Sequence, residues 1–358
     1  MENKKEMRTW LDDMKLDHPL VIAGPCSAET EEQVLSIAKK LKKDPRVSLF
    51  RAGVWKPRTR PGGFEGVGSE ALGWLKKVKN EVGLSVSTEV ANVSHVEQAL
   101  HADIDVLWLG ARTTANPFAV QEISSALKGV DIPVMVKNPV NPDAGLWLGA
   151  IERLEKAGVK RLGGIHRGVS QFVKTEFRNK PEWDMVVRLR EELSDFLIVN
   201  DPSHIAGNRN LIERVSQTAL DLKLDGLMIE THNNPEEAWS DAAQQVTPDA
   251  LNEMLTRLII KFENPGDFEL DNLNELRYSI NDIDKQIIDL FGSRKDVVKD
   301  IAKIKMKHNM SLFQESRFNE LLASHLKQGA SLGLDENFVS KIFHSIHQES
   351  ILIQSKLL

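Results

Sequence analysis

Cys26, His204, Glu230 and Asp241 bring together the donor types that a transition metal uses: one sulfur, one imidazole and two carboxylates. Such a mixed set suits a borderline divalent ion such as Mn, Fe, Co or Zn and disfavours Mg or Ca. Four protein ligands can leave a further position for a substrate oxygen, so the ion could act as a Lewis acid on a carbonyl. A second group has the opposite sign. In "FRAGVWKPRTRPGGFEG", Arg51, Lys56, Arg58 and Arg60 crowd into one loop stiffened by two prolines and a Gly-Gly pair. Cations this close repel and are stable only in solvent or around an anion. A solvated basic loop is the plainer explanation. Arg112, Lys137 and Arg167, if brought to the same place, would make the loop part of a cradle for phosphate and carboxylate groups.

Both groups need a scaffold that gathers residues far apart in the chain. From residue 19 to about 262, short apolar runs alternate with amphipathic helical stretches such as "EEQVLSIAKKLKK" and "NLIERVSQTALDL". The strands expected are Leu20–Ala23, Val47–Ala52, Leu84–Glu89, Val106–Gly110, Pro133–Lys137, Arg161–Ile165, Phe196–Val199 and Gly226–Glu230. Strand–helix alternation implies parallel pairing, and eight units in this length predict a (β/α)8 barrel. A doubly wound open sheet is the alternative, but no Gly-x-Gly-x-x-Gly follows the first strand. In a barrel the site lies at the carboxyl ends of the strands. The residues there are Cys26, Arg51 with Lys56, Glu89, Arg112, Lys137, Arg167, His204 and Glu230. Closure places strand 8 beside strand 1, which joins Cys26 to Glu230 and to Asp241 in the following loop. Asn116-Pro117 after "GART" resembles a helix N-cap with proline at the first helical position, aiming a positive helix end at the same rim.

"FENPGDFELDN" then breaks the pattern and reads as a linker over 263–271 between a barrel at 1–262 and a small all-α domain at 272–358. One long helix is expected at 272–307, with others near 314–328 and 335–357. The first carries a seam of Leu273, Leu276, Ile280, Ile283, Ile287 and Leu290, then Arg294, Val297, Ile301 and Ile304. Arg294 interrupts the seam, and it either snorkels or meets a charged partner. Lys305 lies within ~20° of the same face and ~16 Å along the axis, so the two side chains could converge on a small dianion. Arg277 is ~25 Å from Arg294 and turned by ~100°. It belongs to no site or reaches a partner chain's site, and the latter predicts an intertwined homodimer.

The 358-residue chain carries a formal charge of −6, 41% hydrophobic and 27% charged residues, and a single cysteine. This length and balance fit two soluble domains, or one large barrel with an appendage, and exclude an intrachain disulfide framework. Mild acidity argues against general nucleic-acid or membrane-surface binding, so the basic clusters should serve small anions. No apolar run reaches spanning length and "MENKKEMRTWLDDMK" lacks a signal-peptide core, which together predict a cytoplasmic location.

Over residues 19–262, "GPCSAE", "RAGVWKPRT", "STEV", "GART", "VKNP", "HRG", "NDPSH" and "IETH" followed by Asp241 resemble the compact 3-deoxy-D-arabino-heptulosonate 7-phosphate (DAHP) synthases. The sister family that makes 3-deoxy-octulosonate 8-phosphate shares the barrel but does not typically carry Lys-Pro-Arg-Thr. The resemblance implies condensation of phosphoenolpyruvate with erythrose 4-phosphate. It implies that Cys26, His204, Glu230 and Asp241 hold the metal and that Arg112, Lys137 and Arg167, with Lys56, bind phosphoenolpyruvate. Lys56, Pro57, Arg58 and Thr59 would grip the sugar phosphate, with Arg51 near both. Glu89 would orient the attacking water and Lys137 would also move protons.

Residues 270–358 resemble the AroQ class of chorismate mutases, all-helical dimers with shared sites. Arg277, Arg294, Lys305, Arg317, Ser350 and Gln354 fall at positions matching that family's substrate contacts. The implied reaction is a Claisen rearrangement of chorismate to prephenate, needing no metal or covalent step, with Lys305 on the ether oxygen and the arginines on the carboxylates. Gln314 and Phe318 depart from the Asp and Glu of some members. The leading expectation is therefore a bifunctional enzyme of aromatic amino-acid biosynthesis. A second is a helical domain acting mainly as a dimerising sensor of prephenate or chorismate that slows the barrel. A third is a metal-dependent aldolase or hydrolase acting on another sugar phosphate.

Overall fold

The computed structural model describes residues 14–56, 62–172, 175–194, 196–261 and 270–357. They form two compact units, divided between Lys261 and Phe262. In the first, all eight expected strands are present and close into a parallel barrel. They are β1 (Leu20–Gly24), β2 (Val47–Arg51), β3 (Ser85–Val90), β4 (Val106–Leu109), β5 (Val134–Lys137), β6 (Leu162–His166), β7 (Ile198–Asn200) and β8 (Gly226–Glu230). The register Leu20↔Gly226 through Gly24↔Glu230 joins β1 to β8 and completes the ring. β7 starts later than expected, at Ile198, whose N–H donates to Asp225 Oδ2 at 2.8 Å rather than to a strand.

The helices that follow the eight strands are α1 (Glu31–Leu41), α2 (Glu70–Lys77), α3 (Val93–His101), α4 (Pro117–Ala126), α5 (Ala144–Lys156), α6 (Asp184–Glu192), α7 (Ile212–Asp221) and α8 (Pro248–Arg257), with single turns at Ala111–Thr114 and Pro202–Ala206. Their starts follow local chemistry. Thr30, Asn92, Asn116, Asp143 and Thr247 each accept an N–H of the first turn, and Pro117 and Pro248 open their helices.

Period-2 alternation sorts the strands into two cores. Val21, Ala23, Phe50, Leu107, Val134, Val136, Leu227 and Ile229 face the helical layer. Leu20, Ile22, Leu49, Trp108, Met135, Ile165, Val199 and Met228 fill the barrel. Two residues beyond the interior Leu49, Met135, Ile165, Val199 and Met228 stand Arg51, Lys137, Arg167, Asp201 and Glu230. The same alternation that builds the interior therefore lifts a polar group above it on strand after strand.

The second unit contains α9 (Leu270–Lys307), α10 (Glu315–Ser331) and α11 (Glu336–Ser355), with α9 beginning two residues before its expected start. Asp335 caps α11 through the Phe338 N–H. Val339 packs closely on Gly329, where a Cβ would meet its Cγ2 at 2.7 Å. On α9 only Val298, Ala302 and Lys305 are buried among the described residues, whereas Leu276, Ile280, Ile283, Ile287 and Leu290 are exposed. No described helix is long and apolar enough to cross a membrane.

Candidate functional site

The mouth of the barrel is built first by backbone. Beyond β1, the Gly53 N–H donates to Cys26 O at 3.2 Å and the Ala28 N–H to Gly53 O at 3.0 Å, fixing the cysteine loop against the loop after β2. The Cys26 N–H donates to Gln245 Oε1 at 3.1 Å. Beyond β8, Asp241 sits at a φ of +48°, a left-handed conformation uncommon for a residue with a side chain. Ser27 Oγ and Ser240 Oγ, 2.5 Å apart, tie the two loops together, and Glu29 accepts from Ser27 Oγ at 3.3 Å and from the Trp239 N–H at 2.8 Å.

This frame places donor atoms of Cys26, Glu230 and Asp241 all within 4.8 Å of one another. Cys26 Sγ donates to Asp241 Oδ2 at 3.4 Å. Glu230 is fully buried; its Oε2 accepts from Gln244 Nε2 at 2.7 Å. Its Oε1 has no hydrogen-bond partner, facing the Arg51 guanidinium at 3.2 Å out of alignment. His204, the fourth expected ligand, stands just outside this group, with Nδ1 3.9 Å from Glu230 Oε1 and 3.0 Å from Asp201 Oδ1. Asp201 thus occupies Nδ1 and leaves Nε2 for other contacts, the arrangement in which a carboxylate orients a ligand imidazole. Burial, with Glu230 nearby, pushes the Cys26 thiol up to about 12. Burial also opposes charge on Asp241, but Arg178 and then His204 outweigh it and hold the carboxyl below its ordinary range. A thiol and two carboxylates, one of them fully buried, fit a borderline divalent cation.

The cations lie beside it. Lys137 Nζ, at the end of β5, donates to the buried Asp201 Oδ2 at 2.7 Å. Arg167, past β6, donates from Nη1 to Asn179 Oδ1 at 3.0 Å, and its N–H donates to Asn138 Oδ1 at 2.6 Å. Burial pushes Arg167 down to about 10, with Arg178 and Arg112 adding to the effect against Asp201. Arg112, on the turn after β4, therefore belongs to the same cluster. Arg51 is buried over the Trp108 ring at 5.1 Å, with Nε and Nη1 unpartnered. Lys56 Nζ donates to Cys26 O at 2.8 Å. Glu89 Oε2 accepts from Trp108 Nε1 at 3.2 Å. Pro57, Arg58 and Thr59 lie outside the described residues.

In the helical unit, Arg294 Nη1 donates to Ser350 Oγ at 2.6 Å, and Lys305 Nζ donates to Leu312 O at 2.6 Å. Gln354 Nε2 donates to Ser350 O at 3.1 Å. Arg294, Ser350 and Gln354 thus come together. Arg317 is exposed and pairs with Glu320 at 3.3 Å, and Arg277 is exposed on the first half of α9.

Sequence reasoning did not single out Asp201, Arg178, Gln244 or Trp108. Asp201 stands inside "NDPSH" and Trp108 inside a strand, so both were within sight. Arg178 and Gln244 sit in loops whose partners are set only by folding: Arg178 Nη1 reaches Asp241 Oδ1 at 3.0 Å and Gln244 Oε1 at 2.6 Å.

A closed parallel barrel with these donors and cations at its mouth defines an enzyme of the (β/α)8 class. The family model "DAHP synthetase I family" matches residues 14–263, and the chain belongs to that family; "Chorismate mutase type II" matches residues 276–355, so a mutase-type domain follows the barrel. The chain is 29% identical over 250 residues to the phospho-2-dehydro-3-deoxyheptonate aldolase of Thermotoga maritima, covering 69% of this chain and 72% of that one. It is 27% identical to a 2-dehydro-3-deoxyphosphooctonate aldolase of Geobacter sulfurreducens, covering 68% and 92%. Over 88 residues it is 36% identical to the bifunctional chorismate mutase/prephenate dehydratase of Buchnera aphidicola, spanning 25% of this chain and 23% of that protein. A crystal structure of the Thermotoga maritima DAHP synthase superposes with a TM-score of 0.61 at 27% identity, covering 67% of this chain and 68% of that one.

Proposed function

We propose that the barrel condenses phosphoenolpyruvate with erythrose 4-phosphate to DAHP and phosphate, and that the helical unit rearranges chorismate to prephenate. The observation that carries the first half is the cluster of Cys26, Glu230 and Asp241 donor atoms within 4.8 Å of one another, with buried Arg51 paired to Glu230 and buried Lys137 and Arg167 at the same barrel mouth. Cys26, Glu230 and Asp241, with His204 through Nε2, would hold a divalent ion of the Mn, Fe, Co or Zn kind. That ion supplies Lewis acidity to the aldehyde carbonyl. Arg112, Lys137 and Arg167, with Lys56, bind the phosphate and carboxylate of phosphoenolpyruvate. Lys56, Pro57, Arg58 and Thr59 take the sugar phosphate, and Arg51 backs both.

A carbon–carbon bond forms between the methylene carbon of phosphoenolpyruvate and the aldehyde carbon, and Lys137 delivers the proton to the new hydroxyl. Glu89, anchored on Trp108, orients the water that adds to the adjoining cationic carbon, and phosphate departs with its bridging oxygen. The test follows loss of phosphoenolpyruvate absorbance with erythrose 4-phosphate, before and after chelation. Cys26→Ala should lose bound metal and turnover together. Full metal content and full turnover in that variant would overturn the assignment. Turnover without phosphoenolpyruvate would favour an ordinary aldolase.

In the helical unit the Arg294–Ser350 contact, with the buried Lys305 further along the same helix, supports a dicarboxylate pocket. Arginines hold the carboxylates while Lys305 meets charge developing on the ether oxygen. The exposed apolar face of α9 supports an intertwined homodimer in which Arg277 serves the partner's pocket. Lys305→Ala should abolish chorismate consumption without affecting the condensation. One observation favours the sensor role as well: Arg317 points to Glu320, which leaves the pocket short of a cation. Prephenate should then slow the barrel, and inhibition that survives deletion of residues 270–358 would defeat that role.

A further inference from the structure

His347, Ser350 and Gln354 recur at i, i+3 and i+7 along α11, so they share one stripe. Ser350 already receives Arg294 Nη1 at 2.6 Å. The other two each present a buried polar atom with no partner: His347 Nε2 and Gln354 Oε1. Leaving such atoms unpaired is costly, and a stripe carrying two of them beside two cations is shaped for a ligand that supplies the missing bonds.

The imidazole is held rather than loose. Its ring lies 4.3 Å from that of Phe318, tilted by 34°, and meets the edge of Phe313 at 5.7 Å. Phe318 and Phe313 have no polar group to offer, so hydrogen bonding on that wall falls to His347. Burial lowers its pKa, and Arg294, Lys305 and His344 lower it further, which favours the uncharged ring. Arg294 matches the ligand's carboxylates, and Lys305 its ether oxygen. An uncharged imidazole, donor or acceptor by tautomer, matches an uncharged oxygen.

We propose that His347 is a substrate-contacting residue of the helical site, hydrogen-bonding through Nε2 to the ring hydroxyl of the bound dicarboxylate. This rests on the reading of that pocket as the chorismate and prephenate site. The hydroxyl is the group this contact selects, so His347 sets specificity where Arg294 and Lys305 set affinity.

The experiment compares prephenate with its analogue lacking the ring hydroxyl, by calorimetric titration of the full-length protein. Wild type should bind prephenate about tenfold more tightly than the deoxy analogue, the worth of one good hydrogen bond. His347→Phe keeps the ring stack and removes the nitrogen; it should lose that preference while binding the analogue as before. His347→Gln, which restores a polar group at similar reach, should recover part of it. His347→Leu gives the same readout if Phe overpacks the wall. Equal weakening toward both ligands would mark a merely structural residue and overturn the inference, as would an unchanged preference in His347→Phe. Failure of wild type to bind either ligand would overturn the pocket reading itself, a separate and distinguishable result.

Discussion

Glu89 is placed by what is missing from its neighbour. A Cβ on Gly110 would stand 2.1 Å from Glu89 Oε1, so the carboxylate lies where only hydrogen fits. Gly110→Ala must push Glu89 off its Trp108 contact. We expect roughly a hundredfold loss of condensing rate, the scale of a displaced reacting group. The melting temperature should move little, because the collision is with the far end of a side chain. An unchanged rate would remove Glu89 from the water-orienting role. At this scale the sequence was readable wherever a residue's place follows from its own strand: Arg51, Lys137, Arg167 and Glu230 rise above interior residues two positions earlier. Asp201 follows the same alternation, yet its meaning depends on Lys137, 64 residues away in sequence, and so only the fold discloses it. His204 was expected as a fourth donor, yet it stands outside the cluster with Asp201 holding its ring.

Elements join by staples that composition hides. Between α1 and β2, Arg46 pairs in two-point fashion with Asp44, donating from Nε and Nη2 at 2.9 Å each. Asn252 of α8 adds its Nδ2 to Asp44 Oδ2 at 2.8 Å, and Arg46 Nη2 reaches Asn252 O at 3.0 Å. Burial opposes the charge on Asp44, but these hydrogen bonds outweigh it and hold the carboxyl below its ordinary 3.8. A carboxyl depressed in the folded state lends stability above its unfolded value and loses it as pH falls through the folded one. Asp44→Asn should therefore cost about 1 kcal/mol at pH 7 and progressively less below pH 4, read by urea unfolding at both. A penalty that does not shrink in acid would assign the effect to packing. All eight strands were legible because each is an apolar run between helical patterns. The late start of β7 was not, since Phe196 and Leu197 look like strand residues until Asp225 takes the Ile198 N–H.

For the whole molecule, the fusion of barrel and helical unit was visible from the linker-like break and the change of period. The proposed homodimer rests, in the sequence, on a conflict within α9, a seam of apolar residues crossed by Arg294 with Arg277 facing elsewhere. Shared pockets can be tested by mixing. Arg277→Ala and Arg294→Ala proteins should each be inactive as mutases, yet equal mixtures refolded together should regain about a quarter of wild-type activity. Half of the pairs are then mixed, and each mixed pair has one intact pocket of two. No recovery would mean that each chain builds its pocket alone.

The bare flank of α9 has a thermodynamic corollary. A 38-residue helix with so much oil facing outward draws its stability from whatever covers that flank, in the proposed homodimer a second copy. Its melting point must then climb with protein concentration, while a barrel with its own two cores melts at a temperature indifferent to dilution. In a cell that makes little of this protein, the rearranging half would be the first to fall silent.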